Sequence, residues 1–260
     1  MGWLLEEVKG RGRTILLATH IGELFWTIAW PALWVVLDRL IFTQGIPKPL
    51  LPRVKASMTL QMMGFAVMLA GMANLPASIA GDRERGVYRK FASTPIKAWE
   101  DAVGRLLALL LFSVVSSLIV LAVGMVLGSR YEVRGIALIK ALGVALLLLL
   151  SSWGVGLIIG SIAGSAHSAV SIGVGVAVIT SAVSGVFAPY QMLPKGLKIF
   201  SKLYPPSTSI SAIIYLILGR RYAGYNPLTR LHAIYIVASS LLLHLIGLWL
   251  YHLKLWSRRL

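Results

Sequence analysis

The chain has 260 residues, of which 57% are hydrophobic and only 13% charged, and its mean hydropathy is +0.80. Soluble domains are about a quarter charged, so this composition excludes an ordinary soluble protein. The absence of cysteine excludes a disulfide framework and a cysteine metal site, and we predict no other metal site. The net charge of +16 is dispersed without a basic stripe, which favours contact with anionic lipid over binding of nucleic acid.

The N-terminal segment, about residues 1–20, combines Trp3 with Lys9, Arg11 and Arg13 between short apolar runs. Trp at headgroup depth and basic residues facing anionic lipid are typical of a helix that lies on a membrane surface. We therefore predict an interfacial helix here. The alternative is a disordered basic leader before the first membrane span.

Six apolar segments follow, each near the roughly 20 residues that a helix needs to cross a bilayer. The predicted spans cover residues 24–42, 60–80, 106–127, 136–162, 169–188 and 234–253. The predicted fold is an all-α integral membrane protein with one transmembrane domain over residues 1–260. An even number of spans puts both termini on one side of the membrane. Each side then carries twelve basic residues, so the positive-inside rule favours cytoplasmic termini only slightly.

The connections between the predicted spans differ in kind. Residues 44–57 contain three prolines and predict an irregular loop, whereas residues 164–168 predict a tight turn. Residues 189–230 are long for a loop and hold apolar stretches. We predict short helices there that re-enter the membrane, packed on protein or lining water. Residues 82–105 are the most charged part of the chain and predict an amphipathic segment where the membrane domain meets a partner in water.

Polar residues in or near the apolar runs are candidate functional groups. Glu23, Asp38, Arg39 and His232 lie near span ends, where we expect them to reach the headgroups or each other. Asn74 and His244 lie deeper. For His244 we expect a neutral ring that is hydrogen-bonded between helices, rather than a proton relay. The sequence offers no pair of deep carboxylates that would support proton coupling.

The second span is rich in methionine, which suits an adaptable apolar surface. It is a candidate part of a substrate pathway, although a packed core explains the same residues at least as well. The candidate pathway residues are Met62, Phe65, Met68, Met72, Asn74, Ser181, Ser184 and Phe187. Pro76 predicts a kink near the cytoplasmic end of this span, because proline breaks the helical hydrogen-bond ladder.

Glycines recur at intervals of four residues on two spans. Gly156, Gly160 and Gly164 lie on the fourth span, and Gly124 and Gly128 close the third. Small residues four apart line one face of a helix and let another backbone approach. We therefore predict tight helix packing, either within the subunit or between two copies.

Motifs for nucleotide binding and hydrolysis are missing from the sequence. It contains no G-x-x-x-x-G-K-[ST] phosphate loop, no G-x-G-x-x-G, no H-E-x-x-H and no G-x-S-x-G. We therefore expect no enzymatic activity and no cofactor on this chain itself. The alternative from another class is an intramembrane enzyme that uses His167, His232, His244 or Glu23.

Two blocks of the sequence carry a family resemblance. The first consists of Arg83-Glu84-Arg85-Gly86, Ala92-Ser93-Thr94-Pro95-Ile96 and Gly104-Arg105. The second consists of Ser184-Gly185-Val186-Phe187-Ala188-Pro189, Met192-Leu193-Pro194 and Tyr204-Pro205. With the six-span plan, they resemble the membrane subunits of type-two ABC exporters, which include drug and polysaccharide exporters. In the first block the glycine falls one place early relative to the family pattern.

The resemblance implies a permease in the cell (plasma) membrane with both termini in the cytoplasm. It implies a second permease copy, expected to give a homodimer, and two separate ABC ATPase subunits that bind ATP and magnesium. Residues 82–105 would carry the coupling helix that docks on the ATPase, and residues 189–230 the re-entrant helices over the outer exit. The coupling residues implied are Arg83, Glu84, Arg85, Gly86, Val87, Tyr88, Lys90, Phe91, Thr94 and Pro95. The outer residues implied are Pro189, Met192, Pro194 and Pro205.

The predicted function is ATP-driven export of an amphipathic drug-like, lipid or lipid-linked substrate. The cations of the coupling segment suit ion pairs with an ATPase, and Tyr88 and Phe91 suit apolar anchors. The alternative for this segment is a helix that lies on lipid. Within transport, the alternative is a permease for polysaccharide or lipid-linked glycan, with an aromatic-lined channel. Trp26, Trp30 and Trp34 share one face of the first span, which a lipid-facing stripe also explains. A non-transporting assembly factor is a third possibility.

Overall fold

The computed structural model describes residues 25–91, 97–131, 133 and 135–256, and within them the chain forms helices joined by turns and loops. A π-helical turn, Phe25–Ala29, continues into helix α1 (Trp30–Phe42). The helices that follow are α2 (Leu51–Leu69), α3 (Leu75–Glu84), α4 (Val87–Phe91), α5 (Ala98–Val126), α6 (Gly135–Ile162), α7 (Ala166–Ser184), α8 (Lys195–Leu203), α9 (Pro205–Leu218), α10 (Arg220–Ala223) and α11 (Arg230–Tyr251). Further π-helical turns, Ala70–Asn74 and His252–Trp256, join α2 to α3 and extend α11, and a 3-10 turn, Tyr190–Met192, precedes α8.

Five helical segments of the described residues are long and apolar enough to cross a membrane. They are Leu51–Glu84, Ala98–Val126, Gly135–Ile162, Ala166–Ser184 and Arg230–Trp256. They correspond to the second to sixth predicted spans, which confirms an all-helical fold with several membrane spans. The predicted first span coincides with the helix described from Phe25 to Phe42. That this first helix also crosses the membrane stays a prediction. The predicted interfacial helix of residues 1–20 lies outside the described residues.

Two helices begin earlier than the hydropathy pattern predicts. The loop predicted over residues 44–57 ends at Leu50, because Pro52 falls in the first turn of α2, where proline costs no helical hydrogen bond. α5 begins at Ala98 rather than residue 106. Its polar start is capped, since the Glu100 carboxylate accepts a hydrogen bond from the Lys97 N–H at 2.8 Å. Hydropathy alone misses such polar first turns.

The segment from Leu51 to Glu84 is the centre of the fold, because most of its apolar window is buried inside the chain. α2 packs on α5 and α9, and α3 packs on α6 and α7. α6 in turn packs on α11. By contrast, α5, α7 and α11 leave most of their apolar surface exposed, as helices that are apolar all round do when they face lipid.

Contacts at the helix termini define two ends of this bundle. At the first, which we call the α4 end, α4 meets the start of α5 and the end of α11, and the end of α3 meets the α6–α7 turn. At the second, the α8 end, α8 and α9 meet the end of α7, and α10 meets the 3-10 turn that follows it. There the Ser207 hydroxyl donates to the Ser184 carbonyl at 2.8 Å. The predicted short helices between the fifth and sixth spans are therefore present, and their re-entry into a membrane stays a prediction.

A π-helical turn and a proline interrupt the central segment where two other helices approach it. Pro76 has no N–H, so the Met72 carbonyl loses its usual helical partner. Gly173 of α7 lies against this carbonyl, and Gly156 of α6 lies against the carbonyl of Gly71. A Cβ at either glycine would collide with the carbonyl oxygen, so this approach requires glycine. The interruption predicted at Pro76 takes the form of the π-helical turn Ala70–Asn74.

The predicted packing glycines are used mostly within the chain. Gly160 lies against Pro76 and Ile79 of α3, and Gly124 lies against Thr59 of α2. Nothing lies within 4 Å of the position of a Cβ on Gly164 among the described residues. Helix packing inside the subunit therefore accounts for all three of these glycines that lie within α5 and α6, namely Gly124, Gly156 and Gly160.

The polar residues of the spans differ in their exposure and in the groups that they contact. Asp38 was expected to reach the headgroups but is 1% exposed, because it lies on the inner face of α1; this expectation was wrong. Asn74 donates to the Thr27 hydroxyl at 2.9 Å, which joins the central segment to the turn before α1. The His244 ring packs on Trp153 with centroids 4.3 Å apart. Glu23 lies outside the described residues.

Candidate functional site

The candidate site is the junction of α3 and α4, inside the segment predicted to meet a partner. α3 ends at Glu84, and Gly86 follows with φ +68°. A left-handed residue just after a helix end is typically glycine, because a Cβ is strained there. The Gly86 N–H donates to the Arg83 carbonyl at 3.0 Å, so the chain turns sharply into α4.

Beside this turn lies a polar group that we call the Arg105 cluster. Its members are Ser78, Asp82, Tyr88, Asp101, Arg105 and Tyr251. They come from α3, α4, α5 and the last residue of α11. The cluster therefore joins the predicted coupling segment to the ends of three long helices.

The Arg105 guanidinium holds the cluster together. Its Nη2 is 2.6 Å from Asp82 Oδ2, and its Nε is 2.9 Å from Asp101 Oδ2. Its Nη1 donates to the Ser78 hydroxyl at 2.6 Å. These ion pairs are mostly shielded from solvent, since the Arg105 side chain is 11% exposed. All three nitrogens are used, which the planar fork of arginine allows and the single ammonium of lysine does not.

Two tyrosines close a ring of hydrogen bonds around the arginine. Arg105 Nη2 lies 3.4 Å from the Tyr88 hydroxyl, which is 3.3 Å from the Tyr251 hydroxyl. Tyr251 donates to Asp101, so Tyr88 donates to Tyr251. Burial raises the pKa of Tyr88 to about 12, so its hydroxyl stays protonated and able to donate at neutral pH. Each donor in this ring has an acceptor, as a buried polar network requires.

Aromatic rings cover the cluster on the side of α11. Tyr88 meets Tyr251 and Trp256 edge-on, with centroids 6.3 and 6.0 Å apart. Phe91 stacks on Trp256 with centroids 6.0 Å apart. Edge-on and stacked pairs at these distances stabilise a contact beyond the area that they bury. α4 is therefore fixed to the end of α11 by rings as well as by hydrogen bonds.

Two adjacent charges at the end of α3 contact the α6–α7 turn. Arg83 donates to the Ala163 carbonyl, just after the last residue of α6. The Glu84 carboxylate accepts from the Ala166 N–H at 3.3 Å, at the first residue of α7. A cation suits the carboxyl end of a helix and an anion suits the amino end, because of the helix dipole. With the Arg105 cluster, the junction thus contacts the ends of four long helices.

The predicted coupling residues divide into two groups. Arg83 faces its own chain as described above, Tyr88 is 6% exposed, and Phe91 packs on Trp256. These residues hold the segment in place. Glu84, Arg85 and Lys90 are exposed on the outer side, and Arg85 pairs with Asp82 at 2.7 Å. Arg89, which was not among the predicted coupling residues, is exposed beside them. Thr94 and Pro95 lie outside the described residues.

The sequence matches the family described as ABC-2 type transporter over residues 12–218. This range covers most of the chain and all members of the Arg105 cluster except Tyr251. The chain belongs to the ABC-2 type transporter family. It is a multi-pass membrane protein and the permease component of a transporter. No curated protein matches it.

The predicted pathway residues of the permease lie mainly in its packed interior. Met62, Phe65, Met68 and Met72 have no exposed surface. Ser181 donates to the Met68 sulfur at 3.8 Å, a weak contact that nevertheless brings α7 to the central helix. Ser184 is 1% exposed, whereas Asn74 and Phe187 are partly buried. In this arrangement the methionines act as core, and their role as a pathway stays a prediction.

The tryptophans of α1 also face inward. Trp34 stacks on Phe187 with centroids 5.1 Å apart, and Phe187 meets Phe65 edge-on at 4.8 Å. Trp30 contacts Trp34 at 6.2 Å. The alternative explanation of these tryptophans, an interfacial or lipid-facing stripe, does not hold for Trp30 and Trp34, because their rings fill the space between α1, α2 and the end of α7.

Three predicted outer residues mark helix boundaries at the α8 end. Pro189 precedes the 3-10 turn, Pro194 precedes α8, and Pro205 is the first residue of α9. Proline suits these places because the first N–H groups of a helix have no partner within it. Met192 is 64% exposed on the surface. Gln191 joins this turn to α10 by donating to the Arg221 carbonyl at 2.8 Å.

Sequence reasoning missed the central part of the site. Arg105 appeared only as the end of a motif, and Tyr251 was not considered. Asp101 and Arg105 are four residues apart on α5, as are Ser78 and Asp82 on α3, so each pair lies on one helix face. This spacing was the available signal. Nothing in the sequence showed that the two faces meet, or that Tyr251 joins them.

Proposed function

We propose that this permease is the membrane half of an ATP-driven exporter. It moves an amphipathic drug-like, lipid or lipid-linked substrate, and separate ATPase subunits with bound ATP and magnesium supply the energy. Two permease copies and two ATPase subunits make the complex, and the ATPases dock at the α4 end. The observation that carries this proposal is the contact of the α3–α4 junction with the ends of α5, α6, α7 and α11.

The physical argument starts from rigidity. α4 is a short helix, and alone it could not transmit a displacement. Here it is fixed to α11 by Tyr88 and Phe91 and to α5 through Arg105. A force on its outer face therefore reaches the long helices without loss in a flexible loop. Transport needs such a connection, because an ATPase can shift the permease only by favouring one of its two states.

The outer face of the junction provides the chemistry for docking. Arg89 and Lys90 are exposed on α4, and the Arg85 side chain is 69% exposed just before it. Arginines at the surface are frequent binding hot spots, and cations attract an acidic partner surface before contact. We place the α4 end in the cytoplasm on this basis. The end of α11 lies beside α4, so the C-terminus is cytoplasmic in this proposal.

The proposal is tested by reconstitution. A tagged permease is produced together with an ABC ATPase subunit of the same organism, purified through the tag and placed in vesicles. We expect the ATPase to copurify and lipid-soluble compounds to stimulate its hydrolysis of ATP. Arg89→Glu with Lys90→Glu should reduce copurification at least about tenfold, because two attractive charges become repulsive. Lys48→Glu, an exposed change at the α8 end, is the matched control and should have no effect.

Two results would contradict the proposal. In the first, the double variant keeps its thermal stability and retains the ATPase as well as the control does. In the second, substrate movement continues in vesicles that hold no nucleotide. The described histidines at positions 167, 232 and 244 lie in three separate places, at the start of α7, near Tyr225 and against Trp153. Activity of the purified permease alone would nevertheless favour an intramembrane enzyme.

A further inference from the structure

The second feature that calls for a function is the charge of the α8 end. The sequence contains no Asp or Glu from residue 133 to its end. Over the same range, the α8 end carries Lys195, Lys198, Lys202, Arg220, Arg221 and Arg230. Carboxylates from this half of the chain therefore cannot neutralise these cations. Such a surface attracts anions.

Helix α8 arranges its residues on three faces. Ser201 is fully buried and faces the protein. Ile199, Phe200 and Leu203 are 62%, 37% and 56% exposed on a second face. At 100° per residue, Lys195, Lys198 and Lys202 share the third face. A helix with separate apolar and cationic faces suits the boundary between hydrocarbon and headgroups.

The rest of the α8 end holds this helix rigidly. The Ser201 hydroxyl is 3.1 Å from that of Ser207, which donates to the end of α7. Thr208 lies 3.1 Å from the Ser201 carbonyl and 3.0 Å from the Lys202 carbonyl. The Tyr235 hydroxyl of α11 donates to the Leu203 carbonyl. The exposed apolar face is thus presented by a fixed helix, rather than produced by fraying.

Two of the lysines are also positioned by aromatic rings. Lys198 Nζ is 5.8 Å from the centre of the Tyr190 ring, and Lys202 Nζ is 5.3 Å from that of Tyr225. The two rings contact each other with centroids 4.8 Å apart. Cation–π contacts of this length hold an ammonium group in place while leaving its charge unneutralised.

We propose that α8 is an anchor for anionic phospholipid in the leaflet at the α8 end, which is the outer leaflet under the proposed function. Ile199, Phe200 and Leu203 enter the acyl region. The lysine face binds the phosphate groups of neighbouring lipids. The occupant is the lipid surface itself, because exposed apolar side chains and phosphate-binding cations lie on one helix, whereas a site for a soluble anion would need only the cations.

The test uses the full-length permease in neutral detergent and needs neither nucleotide nor ATPase. Bound phosphatidylglycerol is counted by native mass spectrometry during titration, with phosphatidylcholine as the neutral lipid. A lysine near an anionic surface contributes on the order of fivefold in affinity. We expect Lys195→Gln with Lys198→Gln and Lys202→Gln to weaken phosphatidylglycerol binding at least about tenfold, in a salt-dependent manner. The arginine version of the same triple change should keep binding.

Lys48→Gln with Lys140→Gln removes exposed cations of the same end that lie outside α8 and serves as the control. Because neither lysine belongs to the proposed site, binding of phosphatidylglycerol should stay within about twofold of the unchanged protein. Equal binding by the glutamine triple variant and the unchanged protein would overturn the proposal. So would equal affinity for the neutral lipid, or displacement of phosphatidylglycerol by millimolar inorganic phosphate, which would indicate a site for a soluble anion. The measured quantity is the amount of lipid bound to the permease alone. A failed ATPase experiment would therefore contradict the proposed function without affecting the test of the lipid site.

Discussion

Arg105→Met gives the sharpest test of the junction. The change keeps a long side chain but removes the charge that pairs with Asp82 and Asp101, whose side chains are only 19% and 12% exposed. It also removes the hydrogen bond to Ser78. Removing one partner of a shielded ion pair costs about 3–5 kcal/mol, mainly because the remaining charges are left uncompensated. We expect a loss of that size in the free energy of unfolding.

The measurement is unfolding in mixed micelles by titration with a denaturing detergent, followed by tryptophan fluorescence and circular dichroism. Arg89→Met is the matched control, because Arg89 is exposed on α4, and surface changes alter stability by about 0.5 kcal/mol or less. Adding Asp82→Asn and Asp101→Asn to the Arg105 variant should restore part of the stability, because the two uncompensated charges disappear.

The outcome can refute the reasoning in two ways. If Arg105→Met is as stable as the Arg89 control, the cluster does not hold the helix ends together. If the uncharged triple variant is as unstable as the single one, the loss comes from packing and not from charge. In the first case the proposed route from α4 to the long helices loses its main support.

Three further predictions follow from the same structure. Gly156→Ala should lower the free energy of unfolding by about 1–3 kcal/mol, because the new Cβ meets a backbone carbonyl. Gly143 lies on the same helix with open space around it, so Gly143→Ala should be neutral or slightly stabilising in the same titration. Gly86→Ala should cost about 1–2 kcal/mol through its left-handed backbone, and Gly86→Asn less; equal stability of both with the unchanged protein would contradict this. Because the pKa of Tyr88 is raised, the folded state holds the hydroxyl proton more tightly than the unfolded state does. Tyr88 therefore stabilises the fold fully below about pH 10, and this contribution is lost as the pH rises towards 12. A Tyr88→Phe variant should therefore lose stability less steeply over that range than the unchanged protein does.

The sequence allowed the helical membrane fold to be predicted because membrane spans depend on a physical quantity that is additive along the chain. Hydropathy located α6 almost to the residue. It failed at the start of α2 and α5, where capping and proline geometry, rather than apolar content, fix the helix end. It also failed for Asp38, because hydropathy gives the depth of a residue but not the face of the helix on which it lies.

The candidate site was predictable in place but not in detail. The charge density of residues 82–105 pointed to the segment that contains the α3–α4 junction, and docking of a partner there stays a prediction. The inward direction of Tyr88 could not be predicted, because it depends on Tyr251, which lies far away along the chain. The role of Arg105 likewise depends on the contact between α3 and α5. Pairings across such distances are a property of the tertiary fold, and a single sequence carries little information about them.

The order of the two opposite charges at the end of α3, Arg83 followed by Glu84, matters for the contact with the α6–α7 turn. α6 arrives at the α6–α7 turn with its carboxyl end, and α7 leaves with its amino end, so the electrostatic field reverses sign across a few ångströms. Arg83 and Glu84 match that reversal in the order in which the helices present it. Exchanging the two residues would preserve composition and net charge, yet would set each side chain against the pole that repels it. The order Arg83–Glu84 is therefore matched to the order in which α6 ends and α7 begins, some 80 positions downstream.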